Sequence, residues 1–293
     1  MQSKTTTVDN RTIDLLGILD LEPVELNVFR SKGPNTGCRR MFGGQAISQA
    51  LLATCQTVEG RLPHSLHCYF IQSGDLQLPI VYKVEHLRDD RAYSTRLVTV
   101  SQGSSAILCL MVSFRAEEQG TCDHQVGMPQ VPPPEMFAAE KLSRRPFFTK
   151  LPEIVHRYYA RDRPIELRPV EIDRYLGQKI DDGRIHIWMK AAAKLPDVPS
   201  LHICALAYAS DLSLLDAVMA RYGRTLFDER IMSASIDHAM WFHRPFRADD
   251  WLLYAKDSPS ARGGRGLTRG LIFKRDGTLV ASVAQEGAVR ERL

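Results

Sequence analysis

Thr95-Arg96-Leu97-Val98-Thr99-Val100-Ser101-Gln102-Gly103-Ser104 and Thr268-Arg269-Gly270-Leu271-Ile272-Phe273-Lys274-Arg275-Asp276-Gly277 are two versions of one pattern. Each opens Thr-Arg, runs apolar for about four residues, and turns at a polar step containing glycine. Each then resumes as an apolar strand, over 106–114 and 279–284. The offset is 173 residues at both ends, from Thr95 to Thr268 and from Ala106 to Leu279. Upstream, His67-Cys68-Tyr69-Phe70 parallels His238-Ala239-Met240-Trp241 at an offset of 171. One loop insertion accounts for the two-residue slip. Self-similarity at a fixed spacing is the mark of a repeated unit.

Working outward, the order of elements repeats as well. A helix is expected over 44–57, followed by strands over 64–71, 80–87, 92–100 and 106–114. In the second copy a helix is expected over 202–222, with strands over 232–242, 251–256, 266–273 and 279–284. Alternation in Ile185-His186-Ile187-Trp188-Met189 places a strand ahead of that helix. Each copy is therefore one strand, one helix and four mostly antiparallel strands. Between the copies lies a Pro- and charge-rich stretch containing Pro132-Pro133-Pro134, with a short helix expected over 152–160.

The helices decide the fold. The segment 44–57 has no formal charge, and Asp211 is the one charged residue between 201 and 215. A helix that is apolar all round is a buried helix. A long antiparallel sheet curled around a buried helix is the hotdog arrangement. Helices lying on one face of a sandwich would need a polar stripe that neither segment has. The expected class is α+β, two tandem hotdog domains. Residues 1–120 form the first, 121–165 a linker, and 166–293 the second.

Bulk composition agrees and excludes other classes. The chain has 293 residues, 44% hydrophobic and 25% charged, enough for two globular domains. A net charge of +4 is too weak to argue for nucleic acid, and no nucleic-acid motif stands out. No run approaches the 18 uncharged apolar residues of a membrane span. Residues 1–20 lack the apolar stretch of a secretory signal. The six cysteines, Cys38, Cys55, Cys68, Cys109, Cys122 and Cys204, show no metal-ligand spacing and read as free thiols of a reducing compartment. A cytoplasmic location is expected. Glu291-Arg292-Leu293 shares only a basic residue and the final leucine with a peroxisomal tripeptide, so a peroxisomal address is not expected.

Three residues break the pattern. Asp211 has Ala207, Tyr208, Leu214 and Leu215 at helical spacing. A carboxylate there is costly unless it is bonded, capping a neighbouring segment or pairing an arginine, or put to use in catalysis. Gln285 falls opposite Val112 at the 173 offset, and Glu286 opposite Ser113. A polar residue replaces an apolar one in one copy only, although an exposed strand end would tolerate both. Ser235 falls opposite His64 at the 171 offset. Strand alternation puts Ser235 and Asp237 on one face, Ile236 and His238 on the other. His64, His67, His238 and His243 each sit in or beside an aromatic strand run, where one satisfied hydrogen bond is the simple reading.

Other chemistries lack their motifs. There is no G-x-S-x-G elbow, no H-E-x-x-H, and no phosphate-cradling glycine loop between strand and helix. Arg262-Gly263-Gly264-Arg265-Gly266 falls between two strands and reads as a hairpin loop whose arginines are free to meet a phosphate.

The segment Ser235-Ile236-Asp237-His238-Ala239-Met240-Trp241-Phe242-His243-Arg244-Pro245-Phe246 resembles the signature of thioesterase II, the TesB-like double-hotdog acyl-CoA thioesterases of bacteria and peroxisomes. Phe42-Gly43-Gly44-Gln45-Ala46, His64-Ser65-Leu66-His67, Tyr208-Ala209-Ser210-Asp211-Leu212 and Val280-Ala281-Ser282-Val283-Ala284-Gln285-Glu286-Gly287 are similar to it too. The likeness runs from about Leu15 to Arg290. It implies an active site in the second hotdog made of Asp211, Ser235 and Gln285, with His64 a further candidate. Serine stands where threonine is the other family choice, keeping the hydroxyl without the methyl.

The resemblance implies fatty acyl-CoA hydrolysis by water, with Asp211 as general base and Ser235 and Gln285 positioning the water. Backbone N–H groups at a helix N-terminus, or the Gln285 amide, would meet the oxyanion. Arg262, Arg265 and Arg269 are the expected contacts of the CoA phosphates. No metal and no separate cofactor is implied, since CoA belongs to the substrate. A homodimer or homotetramer is expected, because a lone pair of hotdogs leaves sheet edges open. The competing readings are a hotdog hydratase or dehydratase acting on acyl-CoA, and a non-catalytic acyl-CoA binder.

Overall fold

A computed structural model describes residues 14–31, 40–118, 120–138, 148–160 and 163–292. Cys38, Leu293 of the terminal tripeptide and residues 1–13 lie outside them.

The first half runs α1 (Leu15–Ile18), β1 (Leu21–Glu25), β2 (Val28–Ser31), α2 (Gly43–Cys55), β3 (Leu62–Phe70), β4 (Ile80–Asp89), β5 (Tyr93–Gln102) and β6 (Ser105–Arg115). The second runs α3 (Glu153–Ala160), β7 (Ile165–Pro169), β8 (Ile185–Ala191), α4 (Pro199–Ser210), α5 (Asp216–Ala220), β9 (Ile231–Ser235), β10 (Asp237–Phe242), β11 (Leu252–Arg262), β12 (Arg265–Lys274) and β13 (Leu279–Glu291). Two strands, not one, precede each long helix among the described residues.

All the pairings are antiparallel and form one sheet in the order β1-β2-β4-β5-β6-β3-β10-β13-β12-β11-β8-β7, with β9 beside β13. The halves join where β3 pairs β10, Tyr69 opposite Asp237 and Ser65 opposite Trp241. The double-hotdog architecture expected from the repeat is the one observed.

Both long helices are buried, as their lack of charge requires. Every residue from Gly44 to Thr54 is buried in α2, and every residue from His202 to Ser210 in α4. They pack on each other inside the sheet, with Phe42 edge-on to Tyr208 at 5.1 Å between centroids. The approach is close enough that a β-carbon on Gly44 would lie 2.4 Å from the Tyr208 carbonyl oxygen. Only glycine fits there.

Three departures from the sequence reading bear on function. The helix expected over 202–222 stops at Ser210 and restarts as α5 at Asp216. Ser213 between them has φ +59°, a left-handed conformation that cannot continue a helix. Lys256 holds it, with Nζ donating to Ser213 O at 3.0 Å and lying 2.9 Å from Ser213 Oγ. Asp216 is drawn to Arg174 in a buried ion pair of 2.6 Å.

The strand expected over 232–242 is interrupted at Ile236. β9 pairs Ser235 with Gly287, whereas β10 pairs Ala239 with Ala284, a register shifted by one residue. This bulge overturns the simple alternation and turns Ser235 and His238 to the same side. Finally, β13 continues to Glu291, so Gln285 stands mid-strand and only 1% exposed, not at a frayed end.

Candidate active site

Asp211 is the C-cap of α4 and is half-buried. Its Oδ1 accepts from the Ser235 hydroxyl at 3.2 Å. Gln285 Nε2 donates to Ser235 Oγ at 2.9 Å. A helix end, a short strand and a long strand thus bring the three sequence candidates into one hydrogen-bonded row. The break in the helix after Ser210 and the bulge at Ile236 are what point Asp211 and Ser235 at each other. A helix running on through 222 would have fixed Asp211 on its flank.

The row forms part of the wall of a cavity of about 530 Å³. Met41, Phe42, Phe70, Leu214, Leu215 and Leu226 supply apolar wall, and Arg40 is a lining cation. The N-terminus of α2 enters the same space. Gly43 is so close to the carboxylate that a β-carbon on it would lie 2.6 Å from Asp211 Oδ2. Phe42, the N-cap, makes no side-chain cap hydrogen bond to the first turn. The positive end of that helix and its early N–H groups therefore lie beside the carboxylate. The site is shared: α2 comes from the first half, Asp211, Ser235 and Gln285 from the second.

Sequence reasoning passed over His238. It is 1% exposed, with Nδ1 2.5 Å from Gln285 Oε1 and Nε2 2.9 Å from Ser210 Oγ. Burial lowers its pKa, against the opposing pull of Asp211, Gln285 and Asp237. A bulge between Ser235 and His238 was the missing signal, because alternation alone assigns them to opposite faces.

Other candidates lie elsewhere. His64 bonds Ser113 Oγ at 2.8 Å and stacks edge-on to Tyr93. Its pKa is lowered by burial and then by Arg115. It stands at the far end of the β3–β10 pair, five residues from the Tyr69–Asp237 step or roughly 17 Å along the strand. Glu286 points away from Asp211 and meets Arg265 at 3.2 Å. Arg269 is paired with Asp257 at 2.8 Å. Arg262, Arg265 and Arg269 do not line the cavity that holds Asp211. Arg262 and Arg265 close the β11–β12 hairpin across Gly263 and Gly264, both at positive φ, as the hairpin reading expects.

Among the described residues the first half shows no equivalent of the row. Where Gln285 pairs with Thr268, Val112 pairs with Arg96. Arg96 is 2% exposed and donates to Thr57 O, Thr57 Oγ and Arg88 O just beyond the end of α2. A buried, fully bonded arginine thus stands across from Val112, where a threonine stands across from Gln285. No group of three or more His, Cys, Asp or Glu among the described residues is placed to hold a metal ion. No helix among them is long and apolar enough to cross a membrane.

Known proteins resemble the chain along nearly its whole length. A family model described as acyl-CoA thioesterase matches residues 154–288, and one described as acyl-CoA thioesterase N-terminal domain matches residues 31–115. The chain is 36% identical to acyl-CoA thioesterase 2 of Haemophilus influenzae, over 94% of this chain and 97% of that protein. It is 35% identical to human acyl-coenzyme A thioesterase 8, over 96% of this chain and 90% of that one. The crystal structure of acyl-CoA thioesterase II TesB2 from Mycobacterium marinum superposes with a TM-score of 0.76 at 39% identity, covering 94% of this chain and 97% of that one. With both halves matched and the relatives spanned almost end to end, the chain belongs to the acyl-CoA thioesterase II family.

Proposed function

We propose that the chain hydrolyses fatty acyl-CoA to free fatty acid and CoA by direct attack of water held at Asp211, Ser235 and Gln285. The observation that carries this reading is the meeting of three polar side chains from three elements in the wall of one cavity. Asp211 Oδ1 is engaged by Ser235, and Oδ2 faces Gly43 and the cavity. Oδ2 is the atom that takes the water's proton as general base. Gln285 and Ser235 fix the carboxylate and the water in line with the thioester carbon. The early N–H groups of α2 meet the negative charge that develops on the carbonyl oxygen. The thiol leaves readily, its pKa being about 8.5, so one base suffices without a strong acid. The apolar wall accepts the acyl chain, and Arg40 offers a positive charge to the CoA moiety.

The division into residues 1–120, 121–165 and 166–293 follows the same reading, with the first hotdog closing the cavity through α2. We also infer a homo-oligomer. Tyr69, Met111 and Trp241 lie exposed together on the outer face of β3, β6 and β10, at 64%, 45% and 38%. A face of this kind is suited to another copy. The free thiols Cys55, Cys68, Cys109, Cys122 and Cys204 suit a reducing compartment, for which we propose the cytoplasm.

Release of CoA thiol from acyl-CoAs of increasing chain length tests the function. Asp211→Asn is expected to lower kcat roughly 100–10,000-fold while substrate still binds. Wild-type turnover in that variant would remove Asp211 from the role of base. Binding without thiol release at any chain length would mark a non-catalytic binder, and hydration of crotonyl-CoA without thiol release a hydratase.

A further inference from the structure

The hydrogen bonds around Asp211 extend beyond the three residues that face the cavity. Ser210 Oγ lies 2.9 Å from His238 Nε2, His238 Nδ1 2.5 Å from Gln285 Oε1, Gln285 Nε2 2.9 Å from Ser235 Oγ, and Ser235 Oγ 3.2 Å from Asp211 Oδ1. The row runs unbroken from a buried helix hydroxyl to the carboxylate.

The direction of each bond follows from donor and acceptor counting. An ionised carboxylate only accepts, so the Ser235 hydroxyl donates to Asp211. That hydroxyl has one proton, so Ser235 Oγ must accept from Gln285, which places the amide nitrogen toward Ser235. The amide oxygen then faces His238 and needs a donor, which is Nδ1–H. With one proton on the ring, Nε2 accepts from the Ser210 hydroxyl. Ser210 Oγ also lies 2.9 Å from Ala207 O and 3.2 Å from Met240 Sδ. On a neutral ring, which burial favours, Nε2 carries no proton, so the imidazole is the acceptor that the Ser210 hydroxyl meets. The reverse polarity would leave Ser235 without a proton for Asp211, and so requires a protonated Asp211, which is no base.

We propose that His238 is a positioning residue whose Nδ1–H locks the Gln285 amide with its nitrogen toward Ser235, and thereby aims the Ser235 hydroxyl at Asp211. The proposal rests on the assignment of Asp211, Ser235 and Gln285 as the water-holding site. His238 does not touch the cavity. It acts through Gln285, and it holds the Nδ1–H tautomer, the less common one for a free neutral imidazole. A glutamine amide without this partner is free to turn over, presenting its oxygen to the Ser235 oxygen and disrupting the row.

The test has a spectroscopic and a kinetic arm. Two-bond proton–nitrogen correlation on the full chain, labelled with 15N-histidine and assigned with His238→Asn, is expected to show a neutral His238 protonated at Nδ1. A neutral His238 protonated at Nε2 overturns the proposal. In the kinetic arm, His238→Leu removes the donor, whereas His238→Asn keeps an N–H near the Nδ1 position. The leucine variant is expected to lose roughly 10–100-fold in kcat, with KM changed less than about threefold. The asparagine variant is expected to recover most of that loss. Equal losses in both variants at matched thermal stability would assign His238 a packing role and overturn the proposal. If the leucine variant does not fold, the tautomer in the wild type still decides. Asp211→Asn separates the two levels. Should it retain activity, the site reading itself falls. Should it be inactive while His238→Leu is fully active, only the role of His238 falls.

Discussion

A β-carbon on Gly43 would stand 2.6 Å from Asp211 Oδ2 and 2.9 Å from the ring of Phe70. Gly43 belongs to the first half and Asp211 to the second. The doubled fold is thus needed at atomic range, because the helix that approaches the carboxylate comes from the other copy. Gly43→Ala is expected to push the carboxylate or α2 aside and lower kcat at least about tenfold, with the melting temperature little changed. Gly17→Ala is the control, since nothing lies within 4 Å of its added carbon. Thiol-release kinetics on the two variants check the prediction, and an unimpaired Gly43→Ala would show that this close approach is not used.

The doubling and the buried helices were legible because they rest on periodicity and charge, which are local properties of the chain. The repeat of Thr95 and Thr268 survives in the structure as two hairpins in the same order, β5–β6 and β12–β13, whose registers differ by one residue, since Val112 faces Arg96 and Gln285 faces Thr268. Asp211 and Gln285 stood out because each breaks an apolar pattern in one copy. What the residues could not show was how those two meet. The end of α4 depends on a lysine 43 positions away, Lys256 on Ser213. The bulge at Ile236 depends on pairing with β13 and β3. Both are long-range effects that override local propensity. His238 was passed over for the same reason, since its face is set by that bulge.

The arginines expected at the CoA phosphates present a sharper case. Arg265 and Arg269 are each satisfied by a carboxylate, Glu286 and Asp257, and sit away from the cavity wall. Arg40 lines it and is exposed at its position. Arg40→Ala is therefore expected to raise KM for acyl-CoA by roughly 3–10-fold with kcat unchanged, the pattern of lost uniform binding. Arg265→Ala with Arg269→Ala is expected to leave KM within about twofold. Initial-rate kinetics at low ionic strength give both numbers. A KM rise confined to the second pair would assign the phosphates to the β11–β12 hairpin instead.

Lys256 offers a prediction with a definite sign in pH. Burial brings its pKa down to about 7, with Arg174 acting the same way and Asp216 and Glu171 opposing. In the unfolded chain a lysine titrates near 10.4. Between these values the unfolded chain holds a proton that the folded chain has released. Stability therefore rises with pH across that window, at up to about 1.4 kcal/mol per pH unit from this group, and below it the full penalty of a buried ammonium remains. A neutral amine still has two protons to donate, enough for both contacts with Ser213. Lys256→Met removes the titration and the clamp together. Its stability relative to wild type is expected to worsen steadily from pH 6 to pH 9, measured by urea unfolding at each pH. Its kcat is expected to fall at every pH, because Ser213 loses the contact that holds its left-handed turn two residues beyond Asp211. A stability difference flat across that range would mean that Lys256 keeps an ordinary pKa. An undiminished kcat would mean that the turn holds Asp211 without it.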